Sequence, residues 1–154
     1  MTVLAFPANI IDALTPILKG LDGVNTVVNR ELTPTDASGT VGIWTAFWNP
    51  RDWEIGSPEP FGRYNVFIST LVKHSDMQIG NQQSSVLVKS IRVMLYDRGT
   101  VQLALRQLSE TSLDVTERVT RAGVLRQHFV DGSVSGQHAF GSVTQIYVDT
   151  EIAV

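Results

Sequence analysis

The stretch from Arg63 to His74 constrains the fold of this chain more than any other. Tyr64, Val66, Phe67, Ile68, Leu71 and Val72 load both faces of an extended backbone with apolar groups. A strand of that kind needs neighbours on both sides, so it reads as long and central in a sheet. Helices are the available cover. Ile10, Ile11, Leu14, Ile17, Leu18 and Leu21 fall on one face of a helix. Pro7 or Ala8 opens it and Gly20 or Gly23 closes it. Pro16 removes the hydrogen bond to the carbonyl of Asp12, which predicts a kink.

After a polar stretch, Asp76 to Gln83, that contains Gly80, the spacing of Leu87, Val88, Ile91, Met94 and Leu95 predicts a second amphipathic helix. It ends at Arg98-Gly99, with Lys89 and Arg92 on its wet side. Thr100 can cap a short third helix carrying Val101, Ala104, Leu105 and Leu108 on one face. Weak strand character runs from Val24 to Leu32, and stronger character from Val41 to Trp48. Val115 to Val130 and His138 to Ile152 read as two long strands of a hairpin, joined by Asp131 to Gly136, a run with turn chemistry. On the first of these, Val119, Leu125 and Phe129 share one parity, and Arg118, Arg126 and His128 the other. The order is α-β-β-β-α-α-β-β. This is an α+β domain with a mostly antiparallel sheet and helices packed on it.

At 154 residues the chain is one domain, 1–154, large enough for a core without staples. Between about 49 and 62 lies a long loop rich in Pro and Trp, too punctuated for regular structure. The chain has no cysteine, which excludes disulfides, thiol catalysis and cysteine zinc sites. Net charge −3 argues against a dominant basic field of the kind generic nucleic-acid binders carry. No apolar run reaches the ~18 residues of a membrane span, and the N-terminus makes a poor signal peptide. A soluble, intracellularly made protein is the expectation.

The search for catalytic chemistry returns little. His74-Ser75-Asp76 has the letters of a triad, but consecutive residues on a strand alternate faces and cannot align. Gly132-Ser133-Val134-Ser135-Gly136 has Val where a nucleophile elbow needs Ser. His74, His128 and His138 lack metal-ligand spacing, and His128 and His138 flank the turn where they can meet across the strands. No cofactor motif occurs, so catalytic, cofactor and metal sites are all read as none. Two features remain. Trp48, Trp53 and Phe61, in the stretch from Trp44 to Phe61, either cover the core beneath a loop or dock on a neighbouring subunit. Arg118, Arg121 and Arg126, close in sequence to Glu117, are either solvated strand-face charges or groups that meet another molecule. Nine of the twelve basic residues are Arg, the type favoured at protein contacts.

Several segments in sequence order carry a resemblance. They are Trp53-Glu54-Ile55-Gly56, Arg63-Tyr64-Asn65-Val66, Leu71-Val72-Lys73-His74 and Met94-Leu95-Tyr96. Leu103-Ala104-Leu105-Arg106-Gln107-Leu108, Thr116-Glu117-Arg118-Val119, Ser142-Val143-Thr144 and Thr150-Glu151-Ile152 complete the series. Over roughly residues 40–152 the chain resembles the tail terminator proteins of long-tailed bacteriophages, particularly those infecting actinobacteria. The resemblance implies a small α+β protein that is not an enzyme. Its expected form is a homohexameric ring that caps the tail tube, stops tube polymerisation and offers a surface to the head. It implies as partners other copies of the chain, the tail tube protein and the head–tail connector or stopper protein. DNA enters only as the genome passing through the channel, and no membrane is involved. The implied location is the neck of the virion, after assembly in the host cytoplasm. A connector, stopper or other neck protein is the nearest alternative, and a small-molecule enzyme or binding domain the more distant one.

Overall fold

The computed structural model describes residues 6–46, 49–50, 61–96, 101–112 and 115–153. They form α1 (Phe6–Lys19), β1 (Thr26–Val28), β2 (Thr40–Thr45), β3 (Asn49–Pro50), β4 (Phe61–His74), α2 (Met77–Tyr96), α3 (Leu103–Arg106), β5 (Ser109–Ser112), β6 (Val115–Val134) and β7 (Gln137–Ala153). The α+β order expected from the sequence is the one observed, with two short strands, β3 and β5, added to it. The strands make one sheet in the order β1-β2-β4-β7-β6-β5, with β3 also on β4. Every pairing is antiparallel except β1 with β2.

α1 forms where the 3.6-residue period places it and ends at Lys19, just before Gly20. The helix runs on through Pro16, whose ring lies on the exposed side. Phe6, Ile10, Leu14 and Leu18 are wholly buried against Val41, Ile43, Val66 and Ile68 of the sheet. Leu87, Ile91, Met94 and Leu95 of α2, with Val101 and Leu105, complete the same core. The helices thus share one face of the sheet, in a two-layer arrangement.

α2 starts a full two turns before the apolar pattern does. Asp76 Oδ1 accepts the N–H of Ile79 at 3.0 Å, which satisfies one orphan donor of the first turn. Gly80 serves as a contact point here: a Cβ there would stand 2.8 Å from the Phe140 ring and 3.0 Å from His74 Cβ. The polar stretch before Leu87 is therefore helix, held down on the end of β7. The hairpin turn is also shorter than its sequence implies. Pairing persists to Val134–Gln137, and only Ser135 and Gly136 turn, both with positive φ (52° and 79°). Such a two-residue turn matches the right-handed twist of the strands, so β6 and β7 stay in register to their tips.

The buried and exposed faces of the helices should respond very differently to truncation. Leu14→Ala is expected to cost about 2–5 kcal/mol in urea unfolding. Val93→Ala, on the outward side of α2 at 71% exposure, is expected to stay within about 0.5 kcal/mol.

Candidate interaction surface

Two irregularities in β6 decide what the far face of the sheet carries. The register with β7 shifts between Val119 and Arg121 and again between Val124 and Arg126. Strict alternation would send Arg121 to the face opposite Arg118 and Arg126. Each extra residue resets the alternation, so all three arginines emerge on the face away from the helices. They stand opposite Glu151, Asp149 and Gln145 of β7 in turn.

Asp149 is the centre of this face. Arg63 of β4 reaches it from one side, with Nε 2.6 Å from Oδ1 and the second contact at 3.1 Å. Arg121 reaches Oδ2 from the other side at 2.9 and 3.2 Å. Burial pushes the Asp149 carboxyl up, but the hydrogen bonds from Arg63 and Arg121, with their charges, outweigh it and hold the group below the usual carboxylate range. Both guanidinium groups also lie over the Tyr147 ring, 4.3 and 5.5 Å from its centroid. The ring reaches across the strand pair because residue 123 is Gly, where a Cβ would lie 2.7 Å from the Tyr147 hydroxyl. Arg118 pairs with Glu151, and Arg126 Nε donates to Gln145 Oε1 at 2.8 Å. The same row continues through Phe67 to Trp44, stacked with ring centroids 5.4 Å apart. Four guanidinium groups face two carboxylates here, and Arg118 and Arg121 remain about 60% exposed, so their outer edges are open to another molecule.

Of the residues singled out from sequence, Arg118, Arg121 and Arg126 are brought together, each with a partner inside the chain. Trp48 and Trp53 lie outside the described residues. The backbone of Phe61 opens β4 opposite Glu151. Glu117 faces away from the arginines. It is buried on the helix side, accepting from the Tyr64 hydroxyl at 3.1 and 3.0 Å and from Thr150 Oγ1 at 2.9 Å. The histidines also fall differently from the sequence expectation. His138 stands opposite His74 on β4 and Ser133 on β6, while His128 stands opposite Val143. Among the described residues no group of three or more His, Cys, Asp or Glu side chains could hold a metal ion. No helix of the described residues is long and apolar enough to cross a membrane.

Sequence reading missed the apolar groups left uncovered. Leu125, Phe129 and Val130 of β6 are 45%, 66% and 66% exposed. On α2, Ile79, Val86 and Val93 recur every seven residues on the outward side, a spacing visible in the sequence but masked by the polar residues around it. The far face also holds an apolar groove of about 320 Å³, bounded by Leu32, Pro34, Trp44, Leu71, Val130 and Val143.

No family model and no curated protein matches the chain. Among solved structures, a chain from the virion of a native gene transfer agent particle is similar at 12% sequence identity. The TM-score is 0.46, over 94% of this chain and 95% of that one. Another solved chain is similar at 13% identity and a TM-score of 0.40, over 97% of this chain and 94% of its own.

The Asp149 network predicts a pH dependence of definite sign. With its folded-state pKa below the unfolded value of about 3.9, the carboxylate contributes fully above that value. The contribution is lost as pH falls through the folded-state value. Asp149→Asn is expected to lower Tm at neutral pH and to flatten the fall of Tm below about pH 4. A variant curve parallel to wild type across that range would assign the acid loss to other carboxylates.

Proposed function

We propose that this chain is a structural protein of a virion, a tail terminator that forms a ring on the end of the tail tube, stops its growth and presents the surface joining tail to head. The observation that carries the reading is the apolar exposure along β6, where Leu125, Phe129 and Val130 lie beside an edge that no other described strand covers. Exposed apolar side chains along an unpaired strand edge mark a protein–protein contact. It agrees with the resemblance of residues 40–152 to tail terminators.

Under this reading the chain works by surface complementarity. Heterologous contacts close into a ring when the rotation between subunits closes, and a closed ring has no growing end. The arginines of the far face, Arg118, Arg121 and Arg126, together with Trp48, Trp53 and Phe61, meet the adjoining copy or the tube. A slightly acidic chain suits a channel that passes DNA, because each neutralised phosphate would add affinity where release is required.

The test is assembly. Native mass spectrometry in the presence of tail tubes is expected to show a ring of about six subunits. Adding the protein to polymerising tube subunits is expected to limit tube length. A ring that binds preformed tubes without limiting their length would mark a connector or stopper instead. A chain that stays monomeric and ignores tubes would overturn the reading. Arg126→Glu, at a side chain that bonds Gln145 rather than Asp149, is expected to weaken tube or neighbour binding at least tenfold while Tm moves by no more than a few degrees.

A further inference from the structure

Resting on the ring reading above, we infer that neighbouring copies join by continuing the β-sheet: the outer edge of β6 around His128–Val130 pairs antiparallel with the outer edge of β1 in the next copy. The two ends of the sheet carry the argument. β5 covers β6 only from Val115 to Arg118, and no other strand of the described residues runs along that edge up to Val134. β1 is the last strand at the opposite end, and its outer edge is likewise open among the described residues.

The register places these two edges at the same height. Thr26, Thr40, Leu71, Gly141 and Val130 form one row across the sheet. Val27, Val41, Thr70, Ser142 and Phe129 form the next, and Val28, Gly42, Ser69, Val143 and His128 the third. A copy set alongside therefore presents Thr26–Val28 to His128–Val130 without sliding along the strands. The directions agree as well. β1 runs with β2, and three successive antiparallel steps to β6 make β1 and β6 opposed.

The side chains fit the same arrangement. The row that contains Val27 and Phe129 faces the helices, since its inner members Val41, Thr70 and Ser142 are buried. Pairing lays the exposed Phe129 ring beside Val27, which is already packed on the edge of the core. At the paired rows themselves, 26–28 and 128–130, neither edge carries Lys, Pro, a carboxylate or a bulge. The bulges of β6 end at Arg126, and from there to Val134 the register is unbroken with no Lys and no Pro. Thr26–Val28 has none either.

The absence of cysteine from the chain gives a direct test. Thr26→Cys and Val130→Cys are introduced together. Within one chain the two positions lie four strand spacings apart, about 19 Å, beyond the reach of a disulfide. Any bond between them is therefore intermolecular. On mild oxidation the protein is expected to give a covalent ladder up to the size of the native assembly, at least tenfold stronger than that from Thr26→Cys with Val93→Cys, which sits on the outer side of α2. Phe129→Lys, at an exposed site, is expected to keep its Tm within a few degrees and to lose assembly. Assembly by native mass spectrometry with no excess of the 26–130 bond, or undiminished assembly of Phe129→Lys, overturns this edge pairing and leaves the ring reading standing. A chain that is monomeric both alone and with tubes overturns the two together.

Discussion

β7 is the strand on which the rest of the molecule depends. It pairs with β4 from Phe61–Glu151 to His74–His138 on one edge, and with β6 from Thr116–Ala153 to Val134–Gln137 on the other. Nearly all its backbone donors and acceptors are thereby satisfied inside the sheet, the state that buried peptide groups require. The consequence is a fixed set of rows. Whatever lies opposite Ile146 or Val148 is driven under the helices, and whatever lies opposite Asp149 or Tyr147 is driven to the far face. A one-residue slip of β6 or β4 would exchange those sets and set charge against the apolar helices.

That fixed register explains why the bulges matter. Near Arg121 and Arg126 each adds a residue that β7 does not answer, and each turns the following side chains over. Without them, Arg121 would point into the layer that Ala122 and Val124 now help to fill. With them, the apolar residues stay inside while the guanidinium groups line up on the outside against Glu151, Asp149 and Gln145. Bulges also increase local twist, so the strand that organises the charged face bends away from a flat edge in the same place. The charged ladder and the bulged part of β6 are one feature.

The sequence shows most clearly what depends on period. α1, the later half of α2, the double-faced β4 and the hairpin all follow from spacing and β-branched content, and the α+β class follows from their order. What it conceals depends on contacts. The first two turns of α2 look like a loop because Gly80 and its polar neighbours carry no apolar stripe. They are helical because Asp76 caps them and Phe140 needs the space that Gly80 leaves. β5, Ser109–Ser112, is a polar edge with no alternation to betray it. Glu117 sits beside Arg118 in sequence and belongs to the opposite face, where Tyr64 and Thr150 receive it. The ladder was legible only in part, because three arginines at offsets of three and five residues share a face only if the strand is bulged.

The same register that places the core also leaves the sheet asymmetric in a specific way. Its interior strands are paired over long stretches, while its two ends, β1 and the tip half of β6, share three rows and have outer edges that no other described strand covers. An isolated unit of this kind carries the liability of any open sheet, a template for a further strand. Capping strands or inward charges would remove the liability in a monomer. A cyclic assembly removes it differently, since each open edge is consumed by the opposite edge of a neighbour and none remains when the ring closes. In the proposed ring, which no cysteine could lock, backbone pairing with the Phe129 ring laid beside Val27 would supply both direction and register, which packing of the α2 apolar stripe alone would not. On the proposed reading, the uncovered ends of the described sheet would be the functional counterpart of its well-paired centre.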